Sequence, residues 1–315
     1  GYIAGGYVSL ARTTVSRFDM TTESYDALVN GDATRGLVHG KYSVQGINNH
    51  NYGYYFTSGS PNTSPEGGPG GLTTQIDRIE FSSETLTNFT SPAFPADSQQ
   101  APFVASIHYG YGTQGVVFPT ATTFVTNLLR MDFSNETIVD SGNNLPNNHY
   151  RSTNFANNNF TTGYFGGSYA KATHDGVTAQ TIVSRLDFMT ETSSRGGDLS
   201  GSLYSMASVR GPDAGYMSGG QTPTRQSTIR RYSFSTETES LPGSVMSGVI
   251  GGHAGVHNEN YGYFCLGYGP VLSYQTEAER LDFSNDATNT VIVANTAGNH
   301  NWAGVYGVGS TQNAP

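Results

Sequence analysis

The chain has 315 residues, a formal net charge of −9 and only 12% charged residues. Its acidic balance and its lack of any Lys/Arg cluster exclude a typical nucleic-acid interface. No stretch approaches the roughly 18 apolar residues of a membrane span, so we predict no membrane insertion. With so few charges, the surface must be covered by Ser, Thr, Asn and Gly, which we expect of a virion or extracellular surface.

Cysteine and aromatic usage limit the kind of core this chain can build. The single Cys265 excludes an internal disulfide, and its apolar neighbours Phe264 and Leu266 predict a small buried side chain. The 20 Tyr and 16 Phe supply large contact areas, so we expect an aromatic, glycine-spaced core. Gly1 stands where a start methionine is usual, which fits a processed N-terminus or a piece of a longer chain.

A Gly-Tyr phrase recurs along the chain, and we take it as the first strand of each repeat. The copies are Gly1–Gly6, Gly53–Phe56, Gly115–Phe118, Gly163–Gly167, Gly215–Gly220 and Gly262–Gly267. Their starts are 52, 62, 48, 52 and 47 residues apart, and a partial seventh copy covers Gly304–Gly309. The glycines permit close backbone approach and tight exits.

An arginine phrase follows each Gly-Tyr phrase. The copies are Val15–Met20, Ile76–Phe81, Leu128–Phe133, Val183–Phe188, Ile229–Phe234 and Ala278–Phe283. Side chains alternate along a strand, so Leu186 and Phe188 point to one face while Arg185 and Asp187 point to the other. A turn of the form Ser/Thr-x-Glu/Asp-Thr then reverses the chain. These turns are Thr21–Ser24, Ser82–Thr85, Ser134–Thr137, Thr190–Thr192, Ser235–Thr238 and Ser284–Ala287.

The repeat predicts an all-β fold. A period near 50 residues with several short strands is typical of a propeller blade, and no helical apolar stripe is present. We predict one β-propeller over residues 1–315, with six four-stranded blades starting near residues 1, 53, 115, 163, 215 and 262. Residues 304–309 are expected to supply a strand that closes the ring. The alternative is a segment of a longer open array, which would leave blade faces uncapped.

The best copies of the two phrases are Gly163–Gly167 with Arg185–Thr192 and Gly262–Gly267 with Arg280–Asp286. They resemble the kelch-like repeat of virion proteins of tailed bacteriophages, although similar repeats also occur in bacterial surface proteins. The resemblance spans essentially the whole chain. It departs at Ser233, where an acid is expected, and at Val116, which replaces the tyrosine.

The resemblance implies a non-enzymatic structural or adhesive module of a tail, fibre or decoration protein. The implied partners are other virion or fibre proteins, a host surface glycan, or further copies of the chain. Function on a rigid propeller belongs to its variable segments, and the longest are Ser58–Gly71 and Asn143–Thr162. The alternative is a secreted or surface carbohydrate-binding (lectin-like) propeller, and a glycan-active enzyme is a further alternative.

The repeated arginines and acids are interpreted as structural pairs between blades. An Arg at position i and an acid at i+2 share one strand face, so they can pair and bridge to the next blade. The residues concerned are Arg17, Asp19, Arg78, Glu80, Arg130, Asp132, Arg185, Asp187, Arg231, Arg280 and Asp282. Ser233 leaves Arg231 without an i+2 acid, so the fifth blade should contain a compensating partner.

Catalytic patterns are missing from the sequence. The Ser-x-Asp-x-Gly-x-Thr-Trp boxes of six-bladed sialidases do not occur, and no Gly-x-Ser-x-Gly elbow has its strand-to-helix context. His253 and His257 are four residues apart, but no predicted helix brings them together. We therefore expect no enzyme activity, no cofactor and no bound metal ion.

Aromatic, amide and imidazole side chains alternate just before the Gly-Tyr strands. Aromatic faces with nearby hydrogen-bonding forks suit sugar recognition. The alternative is that Asn and His shape turns while the aromatic rings fill space between blades. The candidate ligand-binding residues are Asn49, His50, Tyr52, His108, Tyr109, His257, Tyr261, His300 and Trp302.

Overall fold

The computed structural model describes residues 1–5, 13–28, 36–37, 44–56, 76–89, 98–99, 102–117, 123–172, 176–267, 269 and 277–291. Every regular element in this part of the chain is a β-strand. The strands form six antiparallel blades arranged as a six-bladed β-propeller, which confirms the predicted fold class. Among the described residues there is no helix with the length and hydrophobicity needed to cross a membrane.

The first three blades contain β1 to β14. Blade 1 is described by β1 (Tyr2–Ala4), β2 (Val15–Asp19) and β3 (Ser24–Ala27). Blade 2 contains β4 (Gln45–Asn48), β5 (Tyr52–Phe56), β6 (Ile76–Glu80) and β7 (Thr85–Phe89). Blade 3 contains β9 (Phe103–Ala105), β10 (Tyr109–Gly112), β13 (Asn127–Asp132) and β14 (Thr137–Asn144). A small separate sheet contains β8 (Ser98–Gln99), β11 (Val116–Val117) and β12 (Thr123–Phe124).

The last three blades contain β15 to β27. Blade 4 contains β15 (Thr153–Ala156), β16 (Thr162–Ala172), β17 (Gly176–Asp187) and β18 (Ser193–Arg195). Blade 5 contains β19 (Tyr204–Arg210), β20 (Ala214–Thr222), β21 (Thr224–Ser233) and β22 (Glu239–Ser240), and β23 (Val245–Ile250) pairs with β21. Blade 6 contains β24 (Ala254–His257), β25 (Tyr261–Cys265), β26 (Ala278–Asp282) and β27 (Ala287–Val291).

The Gly-Tyr strand is the second strand of its blade, which corrects the prediction that it comes first. In blades 2 to 6 a shorter strand precedes it and pairs with it. These inner strands contact one another in order around the ring: β4 and β9, β9 and β15, β15 and β19, β19 and β24. They therefore lie nearest the propeller axis, and the arginine strand is the third strand outward.

Blade 3 corrects a second prediction. Gly115–Phe118 does not supply the strand beside Arg130, because Val116 and Val117 pair with β8 and β12 instead. The strand that pairs with the arginine strand is β10, with Tyr111 opposite Arg130. The Gly-Tyr phrase of blade 3 is therefore Tyr109-Gly110-Tyr111. Val116 is not a substituted copy of its tyrosine, because the sequence alignment had placed the phrase at the wrong residues.

In five blades the glycine of the Gly-Tyr phrase makes room for a side chain of the preceding blade. A Cβ at Gly163 would lie 2.6 Å from Val104 Cγ2, which is closer than real Cβ contacts allow. A Cβ on the equivalent glycine would clash in the same way at four other joints. Over the five joints, the distance from this Cβ to the nearest side-chain atom of the preceding blade is 2.2–2.9 Å. The pairs are Gly1–Val256, Gly110–Ile47, Gly163–Val104, Gly215–Phe155 and Gly262–Val209. The glycine is therefore required by packing between blades.

Two blades carry extended hairpins between their second and third strands. In blade 4 the pairing of β16 with β17 shifts register between Gly166 and Ser168, and Gly167 has φ +60°. In blade 5 the register shifts between Ser218 and Gln221, and Gly219 has φ +61°. Glycine in this left-handed region allows a β-bulge, so the paired strands continue beyond the blade.

These hairpins define the two ends of the propeller. We call the end with the second-to-third-strand hairpins and the blade-to-blade connections the hairpin face. We call the end with the other two turns of each blade the turn face. The predicted contact loop Ser58–Gly71 lies outside the described residues. The other, Asn143–Thr162, is not one loop, because residues Thr153–Ala156 form β15 and pair with β16.

The ring closes between blades 6 and 1. Ile3, Phe18 and Tyr25 of blade 1 share one buried cluster with residues of blade 6, including Tyr263. The rings of Phe18 and Tyr263 lie 4.9 Å apart in an edge-to-face arrangement. Cys265 is fully buried in this cluster, and burial raises its pKa to about 12. The predicted closing strand, residues 304–309, lies outside the described residues.

Candidate functional site

The repeated arginines form a ring of six triads, each joining two successive blades. In one triad, Arg130 Nη1 donates to Glu191 Oε1 at 2.8 Å, and the Tyr111 hydroxyl donates to the same oxygen at 3.0 Å. The arginine and tyrosine lie opposite each other in one blade, and the acid comes from the next blade. The triads are Tyr2–Arg17–Glu84, Tyr54–Arg78–Glu136, Tyr111–Arg130–Glu191, Tyr164–Arg185–Glu237, Tyr216–Arg231–Asp286 and Tyr263–Arg280–Glu23.

The triads shift the pKa values of their members because the groups are partly buried and share one carboxylate. Hydrogen bonding to Glu191 raises the pKa of Arg130. Burial and the nearby Glu84 raise the pKa of Tyr2 to about 12. The phenols therefore remain protonated donors and the guanidinium groups remain charged. These shifts favour a structural tie over proton transfer near neutral pH.

The triad acids occupy a strained backbone position. Each has a positive φ, between 52° and 58°, at the end of the turn that follows the arginine strand. A left-handed residue at this point belongs to hairpins built on a type I turn with a bulge. Glycine or asparagine would be locally easier there than glutamate. The glutamates are therefore explained by the inter-blade contact and not by turn propensity.

The prediction that each arginine pairs mainly with the acid at i+2 is wrong. Among the described residues, Arg185 alone has its i+2 acid within ion-pair distance, at 3.8 Å to Asp187. The i+2 acids cap their own turns instead: Asp187 Oδ1 accepts from the backbone N–H of Met189 and Thr190 at 3.0 Å. The Thr190 N–H makes the largest contribution to the lowered pKa of Asp187.

The same turn-capping role is found in the other blades. Asp19 accepts from two backbone N–H groups of its turn, while Asp132 and Asp282 each accept from the N–H and hydroxyl of the serine two residues on. Glu80 accepts from the Ser83 hydroxyl. The sequence did contain a signal for the true partner. An acid lies six residues after the arginine in all six copies, whereas an acid at i+2 is missing at Ser233.

Blade 5 contains the compensating partner that Ser233 led us to expect. Arg231 Nη2 pairs with Asp213 Oδ2 at 2.5 Å, and Asp213 lies in the turn that precedes β20. The next blade offers Asp286 in place of a glutamate, and its carboxylate is 4.0 Å from Arg231 Nε. Asp286 still accepts from the Tyr216 hydroxyl at 2.6 Å. The shorter acid reaches the tyrosine, while a second acid pairs with the arginine.

Aromatic stacking accompanies the triads. In five joints the triad tyrosine stacks on the phenylalanine that ends the arginine strand of the next blade, with centroids 5.3–5.9 Å apart. The pairs are Tyr2–Phe81, Tyr54–Phe133, Tyr111–Phe188, Tyr164–Phe234 and Tyr216–Phe283. At the closing joint Met20 stands in place of the phenylalanine, and the Tyr263 hydroxyl lies 3.4 Å from its carbonyl oxygen.

The candidate tyrosines lie on the turn face, each under a triad arginine. The guanidinium carbon of Arg78 lies 4.6 Å from the ring centre of Tyr52. Arg130 lies over Tyr109 at 5.0 Å, and Arg280 lies over Tyr261 at 4.9 Å. One face of each ring is therefore covered by a cation from its own blade. This geometry favours the interpretation that these rings fill and tie the structure.

The other candidate residues that the structure describes are spread around the turn face. Asn49 Oδ1 accepts from the N–H of Asn51 and Tyr52, so it shapes its turn. His50 and His108 are exposed, and they lie in corresponding turns of blades 2 and 3. His257 ends an inner strand and is partly buried. His300 and Trp302 lie outside the described residues.

An aromatic row on the hairpin face was missed by sequence reasoning. It consists of Phe124, Tyr150, Tyr169 and Tyr204, all partly exposed, and it spans blades 3 to 5. Phe124 and Tyr150 lie 5.8 Å apart, and Tyr169 and Tyr204 lie 4.5 Å apart. Arg151 lies over Tyr150 at 5.3 Å and over Tyr169 at 5.8 Å, which joins the two halves. These aromatics occur at unrelated repeat positions, so periodicity could not reveal them.

Two histidines are buried between strands. His149 Nε2 lies 2.7 Å from the Ser184 hydroxyl, and His253 Nε2 lies 2.6 Å from the Ser218 hydroxyl. Burial lowers their pKa values to about 4 and about 3. Each pair lacks a described acid on its second ring nitrogen, which the orienting role in a hydrolytic triad requires. Within the described ranges no group of three His, Cys, Asp or Glu is placed to hold a metal ion.

A cavity of about 800 Å³ lies on the turn face where blades 6, 1 and 2 meet. Its lining includes Arg17, Asp19 and Glu84 together with His257 and Asn258. Arg17 and Glu84 are already paired with each other as part of a triad. The cavity therefore exposes one edge of the structural ring and brings one candidate residue, His257, close to it.

Comparison with known proteins supports the fold. No family model and no curated protein matches the sequence. Many solved structures are similar in fold, among them the structure of YjhT. That alignment has a TM-score of 0.69 and 12% identity, and it covers 92% of this chain and 97% of YjhT. At this identity the likeness shows the fold alone, and the fold is compatible with a binding or structural module.

Proposed function

We propose that the protein is a non-enzymatic structural or adhesive module of a virion or surface fibre. It holds a partner by contact and carries out no catalysis. The main support is the use of the repeated charges: the six arginines are committed to triads that join blades. The chemistry that recurs most regularly along the chain therefore maintains the ring, and recognition falls to the segments that do not repeat.

The hairpin face is the proposed contact surface. The extended hairpins of blades 4 and 5 stand on this face, and β23 adds to the edge of the second one. Hairpins on a rigid ring can present side chains without reorganisation, which lowers the entropic cost of binding. Fibre or virion proteins are the proposed partners, and a host surface is the proposed target.

The location of the protein tests this proposal. Antibody against the chain would be applied to purified particles, filaments and soluble extract from the source. We expect the protein to copurify with particles or filaments and to be labelled on them in electron micrographs. Recovery only as a free monomer in the soluble fraction would contradict the structural role.

A second candidate function, glycan binding, is favoured by the aromatic row. Its rings are partly exposed and lie beside Arg151, and this arrangement combines stacking faces with hydrogen-bond donors. A neutral or acidic sugar could stack across two neighbouring rings. This candidate differs from the turn-face residues because its rings lie on the hairpin face and do not follow the repeat.

A glycan array on the purified chain tests the second function. We expect the double variant Tyr169→Ala/Tyr204→Ala to bind any captured glycan at least tenfold more weakly. Tyr109→Ala is the matched control, because that ring lies under Arg130 on the opposite face. The proposal would be contradicted if the chain bound none of a diverse set of glycans, or if only the control variant lost binding.

A further inference from the structure

One position on the inner strands differs between blades in a way that the repeat does not explain. The last residue of each inner strand pairs with the glycine of the Gly-Tyr strand. In blades 2 to 6 these residues are Asn48, Ala105, Ala156, Arg210 and His257. Because the registers are equivalent, all five lie at one level, at the turn-face end of the central channel. Arginine and histidine lie on adjacent strands, and two alanines precede them.

Arg210 differs from the triad arginines in its surroundings. Its guanidinium carbon lies 4.4 Å from the ring centre of Phe160, which belongs to a turn of blade 4. Arg210 is partly buried, and no described residue accepts a hydrogen bond from it or forms an ion pair with it. Burial lowers its pKa to about 10, so it stays charged at neutral pH. By contrast, pairing with Glu191 raises the pKa of Arg130.

A charge in this position is costly unless something pairs with it. Taking a charged group out of water is unfavourable, and partial burial removes part of the hydration of this guanidinium while its donors stay accessible. The acid closest in sequence, Asp213, already pairs with Arg231. Residues 292–315 contain no Asp or Glu, so that part of the chain has no carboxylate side chain to offer.

His257 adds a second unused donor at the same level. Its Nε2 atom is buried and has no hydrogen-bond partner among the described residues. Burial and the charge of Arg210 lower its pKa to about 3, so the ring is neutral at physiological pH. A neutral imidazole protonated at Nε2 would donate one hydrogen bond. The corresponding residues on the two preceding strands, Ala105 and Ala156, add no further charge at this level.

We propose that Arg210, positioned by Phe160 and assisted by His257, binds the oxyanion of a carboxylate or phosphate group at the turn-face mouth of the central channel. The planar fork of an arginine matches both groups with two parallel hydrogen bonds. Stacking on Phe160 holds the plane of the fork and leaves its N–H edge unused. The site is independent of the proposed adhesive role, because it lies at the opposite face from the aromatic row.

Thermal unfolding with added anions tests the site. The probes are inorganic phosphate and acetate, each compared with chloride at the same ionic strength. We expect saturable stabilisation of the intact protein by at least one oxyanion, since a ligand that binds only the folded state raises its melting temperature. We expect Arg210→Gln to weaken this binding at least tenfold. Arg195→Gln, which changes an exposed arginine paired with Asp198, should leave it unchanged.

A second measurement distinguishes a binding site from a structural contact. Without added anion, Arg210→Gln should melt at the same temperature as the native protein or higher, because an unpaired charge is removed. Lower stability of this variant without anion would assign Arg210 a structural role. Stabilisation that does not saturate, or that is equal in Arg210→Gln, would reveal an ionic-strength effect only and overturn the proposal.

Carboxylate and phosphate sources can be separated by titrating the native protein with oligogalacturonate, which carries carboxylates on a sugar chain. Tighter binding of this oligosaccharide than of acetate would support a carboxylate polymer as the natural source. Binding of phosphate alone would support a phosphate group. Failure of all three probes would overturn the site while leaving the copurification test unaffected.

Discussion

The joint between blades 5 and 6 solves the same packing problem as the other five joints with different side chains. Elsewhere one glutamate accepts from both the arginine and the tyrosine of the preceding blade, with arginine distances of 2.7–2.8 Å. Here Asp286 lies 4.0 Å from Arg231, and Asp213 of the same blade pairs with the arginine instead. The stacking of Tyr216 on Phe283 is unchanged at 5.3 Å.

The difference separates two requirements that coincide elsewhere. The tyrosine stack and the glycine contact fix the distance between blades, and both are present at this joint. The arginine needs a carboxylate, but the carboxylate does not have to come from the next blade. Aspartate at the left-handed turn position is locally easier than glutamate. At this joint the aspartate therefore lowers the backbone strain of the turn, but its side chain is too short to pair closely with Arg231.

The largest expected effect is loss of stability in acid, and one of the two histidines responsible lies at the joint between blades 5 and 6. His253, which precedes β24, contacts Ser218 of blade 5, and His149 contacts Ser184 of blade 4. Burial lowers both pKa values below the ordinary 6.5, so the unfolded chain binds more protons than the folded one in acid. Stability should fall as pH drops below about 6.5, by about 4 kcal/mol for the two groups together at pH 5.

Urea unfolding measured between pH 7 and 5 tests this expectation. His253→Gln should reduce the loss of stability between pH 7 and 5 by about 2 kcal/mol, and His149→Gln should do the same independently. His257, whose pKa is also lowered to about 3, adds to the loss in every variant. If the slope is unchanged in both single variants, other groups carry the acid sensitivity. Aspartates with lowered pKa values, such as Asp187, add their loss only at lower pH, because their ordinary pKa is 3.8.

The second effect concerns the glycine contact, which we expect to be equally important at both kinds of joint. A Cβ at Gly262 would lie 2.5 Å from Val209 Cγ2, and a Cβ at Gly163 would lie 2.6 Å from Val104 Cγ2. Gly262→Val and Gly163→Val should each cost about 3 kcal/mol through overpacking. Gly248→Val is the control, since a Cβ there meets nothing within 4 Å. Unequal losses in urea titrations would show that the joints pack differently.

The smallest effect concerns the triad acids, and it should differ between the joints. Glu191→Ala leaves both Arg130 and Tyr111 without their acceptor. We expect a loss of about 2 kcal/mol, because the tyrosine is buried while the arginine is partly exposed to water. Asp286→Ala should cost about 1 kcal/mol, because Arg231 keeps Asp213. Glu191→Gln should retain part of the stability through its amide oxygen. Equal losses for the two alanine variants would mean that Asp213 does not compensate.

Much of the architecture was predictable from periodicity. Alternation in Leu186-Asp187-Phe188 placed the apolar side chains on one face, and the repeat spacing indicated six blades. The sequence predicted the Gly-Tyr strand but not its position as the second strand of the blade. The inner strand that precedes it has only three to seven residues and a varied sequence. Blade 3 was misaligned because Gly115-Val116 resembles a degenerate copy while the true copy lies at Tyr109-Gly110-Tyr111.

The candidate site was less predictable. The arginines of the ring were recognised, but the acid at i+2 was chosen because it lies on the same strand face as the arginine. The acid that pairs with Arg130 is Glu191, which lies six residues after Arg185 of the next blade. This acid reaches back to the preceding blade only after the turn has reversed the chain. Turn propensity could not indicate this role, since it predicts glycine or asparagine where Glu191 has φ 54°.

Sequence by itself determined the repeat, the strand periodicity, the turn positions and the charged residue types, because these depend on neighbours along the chain. Tertiary structure decided which acid meets which arginine, because that contact depends on the distance between blades. It also decided that Asp213 replaces a missing partner, that four aromatics form a row, and that Arg210 has none of the acids that pair with the triad arginines. Contacts between blades join residues distant in sequence, and only the closed ring brings them together.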